Sequence, residues 1–412
     1  MNKKLIALAI AGAFAAPMAM AADTGGVTIY GEFAGSVDSV DGGSYSATSV
    51  AVPPTGGLNA ATSERRARVS SNNSFLGFKG SEDLGNGQSA IWQFEQGIAI
   101  EQQNINDNGN NGVANDLKSA QTRRNTFVGL AGKQWGTLTL GVQDTPFKTS
   151  TGPLDAFGQH TIADYRNIWG AIGSTGGSVN IASIRAQNSV LYVSPNMSGF
   201  TVKAMYAAQN EGGNNTGTAA GVVTSVTNPH YYSVGGLYTN GPIFATLAYE
   251  DNKLVPNSAT ISDFTYKNWR AGVGYTFGDL KIGLAYERIK GNGNTTGAVA
   301  VHDLSRTAWY LPVSYQMGSN TFKLAYTKAG SSNQKNAAGT DLSGSDGANQ
   351  WSLGVDHAMS KRTKVYALYT QVRNDTNGMY SLGGAGSGIA QVSPASVGAD
   401  PRGFSVGMVT TF

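Results

Sequence analysis

The chain has 412 residues, including 55 glycines, no cysteine and only 13% charged residues. The lack of cysteine excludes disulfides and thiolate metal sites, and we expect neither a metal nor a cofactor. The formal net charge is +3 and the acidic residues are scattered, so the sequence shows no footprint of a nucleic-acid binder. The glycine-rich, weakly charged composition, without well-capped amphipathic helices, indicates a chain that is all-β or largely disordered.

The first residues are typical of an export signal. Residues 1–22 begin with Lys3 and Lys4, continue with the apolar run Leu5–Ala16 and end with a small-residue cleavage pattern at Ala19–Ala21. This order predicts a secretory signal peptide, with an N-terminal membrane anchor as the alternative. Cleavage removes two lysines, so the net charge of the mature chain falls from +3 to +1.

The mature chain, residues 23–412, is predicted to be one domain built from strands of alternating polarity. In the segment LKIGLAYE, Leu280, Ile282 and Leu284 occupy one face, while Lys281 and Glu287 occupy the other. Such segments recur along the chain and have about the 10-residue length that a tilted strand needs to cross a bilayer. A soluble β-sandwich also alternates, so alternation alone leaves both folds open.

The spacing of the segments separates these two folds. Short turns such as GNG at 85–87 alternate with long polar connections, of which 144–183 is the longest and 290–302 is another. This asymmetry is typical of an antiparallel transmembrane β-barrel with short periplasmic turns and long outer loops. The predicted strands number sixteen: 27–39, 65–80, 88–97, 121–132, 136–143, 184–194, 200–208, 229–239, 243–251, 267–277, 280–289, 303–317, 321–329, 349–359, 363–373 and 403–412.

Aromatic residues near strand ends fit the same membrane-spanning fold. In the final segment, RGFSVGMVTTF, Phe404, Val406 and Phe412 fall on one parity, which predicts a strand that pairs with the first strand and closes the barrel. Other aromatic rings are predicted to lie at the lipid headgroups, with ordinary strand aromatics as the alternative. These residues are Tyr206, Tyr238, Trp269, Tyr315, Trp351 and Tyr366.

Several stretches resemble the general trimeric porins of Gram-negative outer membranes, particularly those of β-proteobacteria. They include RVSSNNSFLGFKGSEDLGNGQSAIWQFEQG at 68–97, RRNTFVGLAGKQWGTLTLGVQDTPFK at 123–148 and LGVDHAMSKRTKVYALYTQV at 353–372. The resemblance implies a homotrimer in outer-membrane lipid and lipopolysaccharide, in which each barrel holds a water-filled pore. Ions and small hydrophilic solutes would diffuse passively through each pore, past an inward-folded third loop.

The resemblance also implies the residues of the pore constriction. Basic wall residues would face acidic residues on the third loop, about 144–183. The match places Arg124 and Arg185 on the wall, and by strand parity Arg124 shares a face with Thr126, and Arg185 one with Gln187 and Ser189. The expected loop residues are Asp144, Lys148, Asp155, His160, Asp164 and Arg166.

Two positions depart from the family pattern. Phe75 stands where many relatives carry Arg or Lys, and Glu32 stands where some carry Lys. These changes thin the basic wall and leave the ion preference open, unless other basic residues compensate. The candidates are Arg65, Arg66, Arg68 and Lys79. By the same resemblance, the terminal Phe412 is expected to be read by the machinery that inserts barrels into the outer membrane.

Other functions remain as alternatives at this point. Some outer-membrane barrels are hydrolases with a Ser/His pair, but neither His357 nor the pair His302 and Ser305 lies in a matching motif. We therefore expect no catalytic residue. A substrate-selective porin of the same fold, or a barrel whose loops serve as an adhesin or receptor, would share every pattern described above.

Overall fold

The computed structural model describes most of the barrel and parts of its loops. The predicted signal peptide, residues 1–22, and His160 lie outside the described residues. The described ranges are 26–43, 65–98, 100, 124–159, 161–174, 177–180, 184–208, 230–254, 264–296, 299–335, 339–341, 344–383, 391–394 and 396–412.

Strands make up most of the described residues. They are β1 (Val27–Asp41), β2 (Arg66–Ser71), β3 (Phe75–Gly85), β4 (Gln88–Gly97), β5 (Thr126–Gly132), β6 (Gly136–Asp144), β7 (Ala171–Ser174), β8 (Gly177–Asn180), β9 (Arg185–Val193), β10 (Phe200–Ala208), β11 (His230–Asn240), β12 (Ile243–Leu254), β13 (Phe264–Phe277), β14 (Leu280–Thr296), β15 (Val299–Met317), β16 (Asn320–Ala329), β17 (Asn333–Lys335), β18 (Ala348–Ala358), β19 (Thr363–Asn374) and β20 (Arg402–Thr411).

These strands form one antiparallel barrel. β2 and β3 are two halves of one spanning strand, interrupted where Asn73 adopts a left-handed φ of 62°. β17 extends the sheet beside β15, while β7 and β8 form a separate hairpin. The spanning strands of the described chain therefore number sixteen, which confirms the prediction.

The first and last strands close the barrel. β1 pairs with β20 over ten residues on one edge and with β2 and β3 on the other. At the end of this seam the backbones of Gly31 and Phe412 exchange two hydrogen bonds of 3.1 Å, and the Phe412 ring stacks on Phe33 at 5.6 Å. Gly31 allows this approach, because a Cβ there would lie 2.6 Å from the Phe412 ring. Closure leaves neither terminal strand as an open edge.

Burial follows the predicted parity. On β13, Trp269 and Val273 are 49% and 56% exposed, whereas Asn268 and Arg270, on the opposite parity, are fully buried. The apolar faces of the other strands also point outward, and the polar faces point into the barrel. An apolar belt of this extent is stable in lipid and not in water, so the sandwich alternative is excluded.

The predicted aromatic positions are correct in part. Tyr206, Trp269, Tyr315 and Trp351 lie exposed on the outer surface. Tyr366 does not, because its parity faces inward and its hydroxyl accepts a hydrogen bond from Asn72 at 3.2 Å. For this residue the prediction was wrong.

The long hairpin of β14 and β15 is a second correction. The glycine- and asparagine-rich stretch 290–302 was predicted as an outer loop. Instead the antiparallel pairing continues to Thr296 and Val299, which leaves only 297–298 between the strands. Backbone pairing to the neighbouring strand overrides the weak intrinsic strand preference of these residues.

Helical structure in the described residues is brief. It consists of helix α1 (Pro146–Thr149) and two 3₁₀ turns, Gly152–Leu154 and Tyr165–Asn167, all between β6 and β9. Among the described residues no helix has the length and apolar character required to cross a membrane.

Candidate functional site

The connection between β6 and β9, residues 145–184, is called loop 3 below. It turns inward at helix α1, where Thr145 caps the helix by accepting a 3.1 Å hydrogen bond from the backbone nitrogen of Lys148. Pro146 occupies the first helical position, where its missing N–H costs nothing. The backbone nitrogen of Phe147 then donates to the Ser233 hydroxyl on β11 at 3.0 Å, which fixes the helix to the inner wall.

A groove of glycines receives the next part of loop 3. Leu154 packs against Gly272 and Gly274 of β13 and Gly283 of β14. A Cβ at any of these three positions would lie 2.8 to 2.9 Å from a δ carbon of Leu154, which is far too close. The missing side chains therefore create the space in which the loop lies.

Glycines also make room for loop 3 farther along the wall. Phe157 packs against Gly354 of β18, and Ile162 against Gly403 of β20, where a Cβ would meet the loop at 3.0 and 2.7 Å. Loop 3 thus follows the inner wall from β11 to β20.

Three buried charges on the wall, Arg270, Glu287 and Arg306, hold both the outgoing and the returning part of loop 3. We call them the wall triad. The two guanidinium groups donate to the two carboxylate oxygens of Glu287 at 2.5 and 2.6 Å, and all three side chains are fully buried. A carboxylate bound on both sides offsets much of the desolvation cost of the charges.

The wall triad binds the backbone at both ends of the loop's inward excursion. Arg270 donates to the carbonyl of Phe147 at 2.9 Å, and Arg306 to that of Ile168 at 2.7 Å. Glu287 accepts from the backbone nitrogen of Gly170 at 2.8 Å. We did not predict this role, although Arg270 and Glu287 lie on the charged parity of their strands.

On the opposite wall, Arg124 lies at the centre of a first charged cluster. Its Nε is 3.4 Å from a carboxylate oxygen of Glu95, and its Nη1 donates to Asn73 at 2.6 Å. The guanidinium lies over the ring of Phe75, 4.2 Å from the ring centre. Tyr30 donates to the same Glu95 carboxylate at 2.8 Å.

Asp144, the last residue of β6, forms a second charged cluster just before loop 3. It accepts from Lys148 at 2.7 Å and pairs with Arg185 at 3.1 Å. Asn125 links Arg185 to Asp144, because its side-chain oxygen accepts hydrogen bonds from both the Arg185 side chain and the Asp144 backbone nitrogen. Burial lowers the pKa of Lys148 to about 8, with Arg185 and Arg166 adding to the effect and Asp144 opposing it. Lys148 is therefore a cation at pH 7 that loses its charge at mildly alkaline pH.

Arg124 and Arg185 do not reach these clusters by simple strand parity. β5 begins at Thr126, whose parity is that of the exposed Val128, so Arg124 reaches the lumen only through the bend at Asn125. The parity used to predict its position was wrong.

A bulge breaks the parity used for Arg185. Asn188 has a φ of 49° and the register shifts beside it, so Gln187 is exposed whereas Ser189 is buried. The two residues therefore do not share the face that was predicted.

The other predicted loop residues form separate groups. Asp164 and Arg166 make a buried ion pair with each other. Asp155 accepts from the backbone nitrogens of Phe157 and Gly158 at 3.1 and 2.9 Å. Burial raises the pKa of Asp155, with the Asp164 charge in the same direction. These two acidic residues shape the loop, whereas Asp144, just before the loop, is the acid that pairs with Arg185.

Asp38 organises the polar residues beside the barrel seam. It is fully buried and accepts four hydrogen bonds of 2.7 to 3.0 Å, from Ser36, Arg68, Ser70 and Ser405. Arg68 therefore joins β2 to β1 through an ion pair. Sequence reasoning missed Asp38, although its parity with the hydroxyls of β20 was visible.

The remaining predicted residues lie around the first cluster or at the rim. Lys79 is over the Tyr30 ring, 4.9 Å from its centre, and Glu32 is paired across the ladder with Phe75. Arg65 and Arg66 are exposed at the start of β2. In the described part of the chain, no group of three or more His, Cys, Asp or Glu side chains could hold a metal.

Comparison with known proteins agrees with this geometry. The model of the Gram-negative porin family matches residues 7–377. The major outer membrane protein P.IA of Neisseria meningitidis serogroup C is 26% identical over 97% of this chain and 99% of its own length. An outer membrane porin protein of Bordetella pertussis is 27% identical over 74% of this chain and 77% of its own.

Solved structures share the fold. The anion-selective porin from Comamonas acidovorans has a TM-score of 0.67 and 24% identity, and the match covers 94% of this chain and all of that one. OmpT of Vibrio cholerae, in its trimer form, has a TM-score of 0.61 and 16% identity, covering 95% of this chain and all of OmpT. The chain therefore belongs to the Gram-negative porin family and forms a passive-diffusion channel of the outer membrane.

Proposed function

We propose that Arg124, Arg185 and Lys148, set against Glu95 and Asp144, form the ion filter of a general diffusion porin. The observation that carries this proposal is that Arg185 and Lys148 both pair with Asp144 at the root of loop 3. Arg124 lies beside them, because the next residue, Asn125, is hydrogen-bonded to Asp144, while Arg124 itself pairs with Glu95. Fixed side-chain charges in a narrow, low-dielectric passage act on ions at close range. Solutes would be filtered by charge and size while no bond is made or broken.

The charges of the filter give a weak anion preference. Three cations face two carboxylates, which leaves one net positive charge at neutral pH. Phe75 stands in place of a further cation, and it supports Arg124 from below instead of adding charge. Polar solutes can exchange water for this lining, whereas apolar solutes cannot and should pass poorly.

The reversal potential across a salt gradient tests the filter. In planar bilayers, the double variant Arg124→Gln and Arg185→Gln should shift this potential toward the value of a cation-selective channel. Arg288→Gln is the matched control, because Arg288 is exposed and its side chain carries the same charge outside the lumen. A reversal potential that is the same in the double variant and the wild type would place the filter elsewhere.

We propose further that the chain assembles as a homotrimer in outer-membrane lipid and lipopolysaccharide. The trimer form of OmpT and the exposed apolar belt support this assembly. Heating a detergent extract before electrophoresis should convert a slowly migrating band into a monomer. A single band of monomer mobility in the unheated sample would contradict the proposal.

The terminal residue belongs to the same proposal. Phe412 is 43% exposed, and its ring stacks on Phe33 at the end of the seam. We infer that the insertion machinery reads this aromatic terminus. Deleting Phe412 should lower the amount of protein in the outer membrane, while Thr411→Ser should leave it unchanged. Equal amounts in the wild type and both variants would show that the insertion machinery does not read the Phe412 ring.

The proposed function includes no catalysis. Among the described histidines, His357 bonds to Asn320 at 2.8 Å in an exposed position near a strand end. His230 is in ring contact with Tyr232 at 4.9 Å. These surroundings support a structural role for both residues. Purified protein should show no esterase activity on a chromogenic ester, whereas turnover lost in His357→Ala would reverse this conclusion.

A further inference from the structure

We propose that the last outer loop, which joins β19 to β20 and is described at 375–383, 391–394 and 396–401, is a second constriction element, which together with loop 3 sets the size limit of the channel. We call it loop 8. This inference rests on the channel function but not on the ion filter, since none of the filter residues belongs to loop 8. It is carried by the way loop 8 is fastened, by how far it reaches across the barrel and by what it covers.

Asn374, the last residue of β19, fastens the root of loop 8. Its side-chain nitrogen donates to the carbonyls of Tyr380 and Ala399 at 3.0 and 2.7 Å, and its side-chain oxygen accepts from the Tyr380 backbone at 2.9 Å. Its own backbone nitrogen donates to Asp400 at 2.9 Å. One side chain thus ties the outgoing and returning parts of the loop together and directs Tyr380.

Tyr380 carries the loop across the inside of the barrel. Loop 8 joins β19 and β20, yet the Tyr380 hydroxyl accepts from Arg306 of β15 at 3.2 Å. In the barrel β18 and β16 separate β19 from β15. The same hydroxyl lies 3.5 Å from the carbonyl of Ala171 in loop 3, and Tyr380 is only 1% exposed. Loop 8 therefore contacts the wall triad from inside the lumen.

Apolar side chains of loop 8 cover loop 3. Leu382 and Val392 are buried, and their backbones exchange hydrogen bonds of 3.1 and 2.7 Å. They belong to the apolar cluster that includes Ile168 and Trp169 of loop 3. The backbone nitrogen of Gly383 donates to the side chain of Asn167 at 2.9 Å. A loop that merely extended outward into water would not bury these groups.

The geometry therefore gives two stacked layers inside one half of the barrel. Loop 3 covers the wall, and loop 8 covers the end of loop 3, on the arc from β15 to β20. Tyr380 and Leu382 are buried and hold the second layer against loop 3. Their removal should widen the path without changing the fixed charges at Arg124 and Arg185.

An excision of residues 379–396 tests the proposal. The backbone nitrogen of Gly398 donates to the carbonyl of Gly378 at 2.9 Å, so the two ends of the excised segment already meet. Joining Gly378 to Val397 through a short glycine-serine linker should leave β19 and β20 in place. Single-channel conductance should rise by at least about 1.5-fold, and neutral sugars too large for the wild type should enter proteoliposomes.

A second variant keeps the loop at full length. Tyr380→Ala combined with Leu382→Ala removes the covering side chains and should give a smaller rise in conductance. Tyr369→Ala is the matched control, since Tyr369 is a tyrosine of β19 that is exposed on the outer surface. The reversal potential should stay at the wild-type value in all three variants, which separates this proposal from the ion filter.

Either of two results would overturn the inference. Folded, heat-stable protein of both loop 8 variants with wild-type conductance and sugar exclusion would show that loop 8 does not narrow the path. An equal rise in Tyr369→Ala would show that the gain comes from a general loosening of the barrel.

Discussion

The guanidinium carbon of Arg124 lies 4.2 Å from the centre of the Phe75 ring, so a phenylalanine supports the cation at the position where this sequence departs from the basic pattern of the family. Such a contact is worth about 0.5 to 2 kcal/mol, depending on its exposure to water. Phe75→Arg replaces this support with a like charge. It should shift the reversal potential toward anions, because it adds a positive charge to a filter whose net charge is small.

Phe75→Leu is the control for this change. It removes the ring but adds no charge, and Arg124 keeps its contacts with Glu95 and Asn73. We therefore expect a reversal potential close to that of the wild type. A shift of equal size in both variants would mean that the position of Arg124, and not the number of charges, sets the selectivity.

The charge of Lys148 should make selectivity depend on pH. Its pKa is lowered to about 8 by burial, with Arg185 and Arg166 in the same direction. The amine is charged at pH 7 and largely neutral at pH 9, so raising the pH removes one positive charge from the filter. The reversal potential should move toward cations across this range, measured in the same salt gradient at each pH.

Lys148→Met is the matched variant for this titration. It lacks the charge at every pH. Its reversal potential at pH 7 should therefore already lie closer to the value of a cation-selective channel, and it should change little between pH 7 and 9. A pH step that persists in Lys148→Met would assign the titration to another group.

The glycine groove predicts a variant and its rescue. Gly274→Val places side-chain atoms where Leu154 now lies, 2.8 Å from the Cβ position. Overpacking of this kind costs about 1 to 3 kcal/mol. Loop 3 should leave the wall and enter the lumen, which lowers conductance and increases current noise.

The second substitution tests whether the clash is the cause. Leu154→Ala in the Gly274→Val background frees the space that valine needs, so conductance should return toward the wild-type value. Leu154→Ala alone serves as the control. A double variant as noisy as Gly274→Val would show that the glycine is required for another reason.

Glu287 should be the most sensitive residue of the wall triad. Glu287→Gln leaves two buried guanidinium groups with one neutral partner, and breaking a buried ion pair costs about 3 to 5 kcal/mol. The midpoint of denaturant unfolding in lipid vesicles should fall. Glu82→Gln is the control, because Glu82 is exposed, and it should leave the midpoint unchanged. Equal midpoints in the two variants would show that the wall triad does not contribute to the stability of the protein.

The strands could be predicted from the sequence, because lipid on one side of the barrel wall and water on the other impose a two-residue period on side-chain polarity. Trp269 and Asn268 follow this rule, and so do the seam residues Phe404 and Phe412. The same rule fails at Asn188, because one extra residue in a bulge reverses the parity that follows it. The prediction for Tyr366 failed for a different reason, because its parity faces inward and its hydroxyl joins a polar network instead of the ring lying at the lipid.

The positions of the loops inside the barrel could not be predicted from the sequence in the same way. Gly272, Gly274 and Gly283 occupy ordinary strand positions, and nothing local indicates that Leu154 fills the space above them. The contact joins residues more than a hundred positions apart, and only the barrel brings them together. The same holds for Tyr380 and Arg306, whose pairing depends on the order of the strands.

The pairing of Gly31 with Phe412 has a consequence for how the protein is made. The two residues that complete the ring lie in the first strand of the barrel and directly after the last one, so a chain that lacks its last strand cannot satisfy both edges of β1. Until the last strand arrives, the unpaired backbone of β1 needs a chaperone or water, because hydrocarbon offers it no hydrogen bonds. Entry into the bilayer and completion of the ring should therefore be coupled late events.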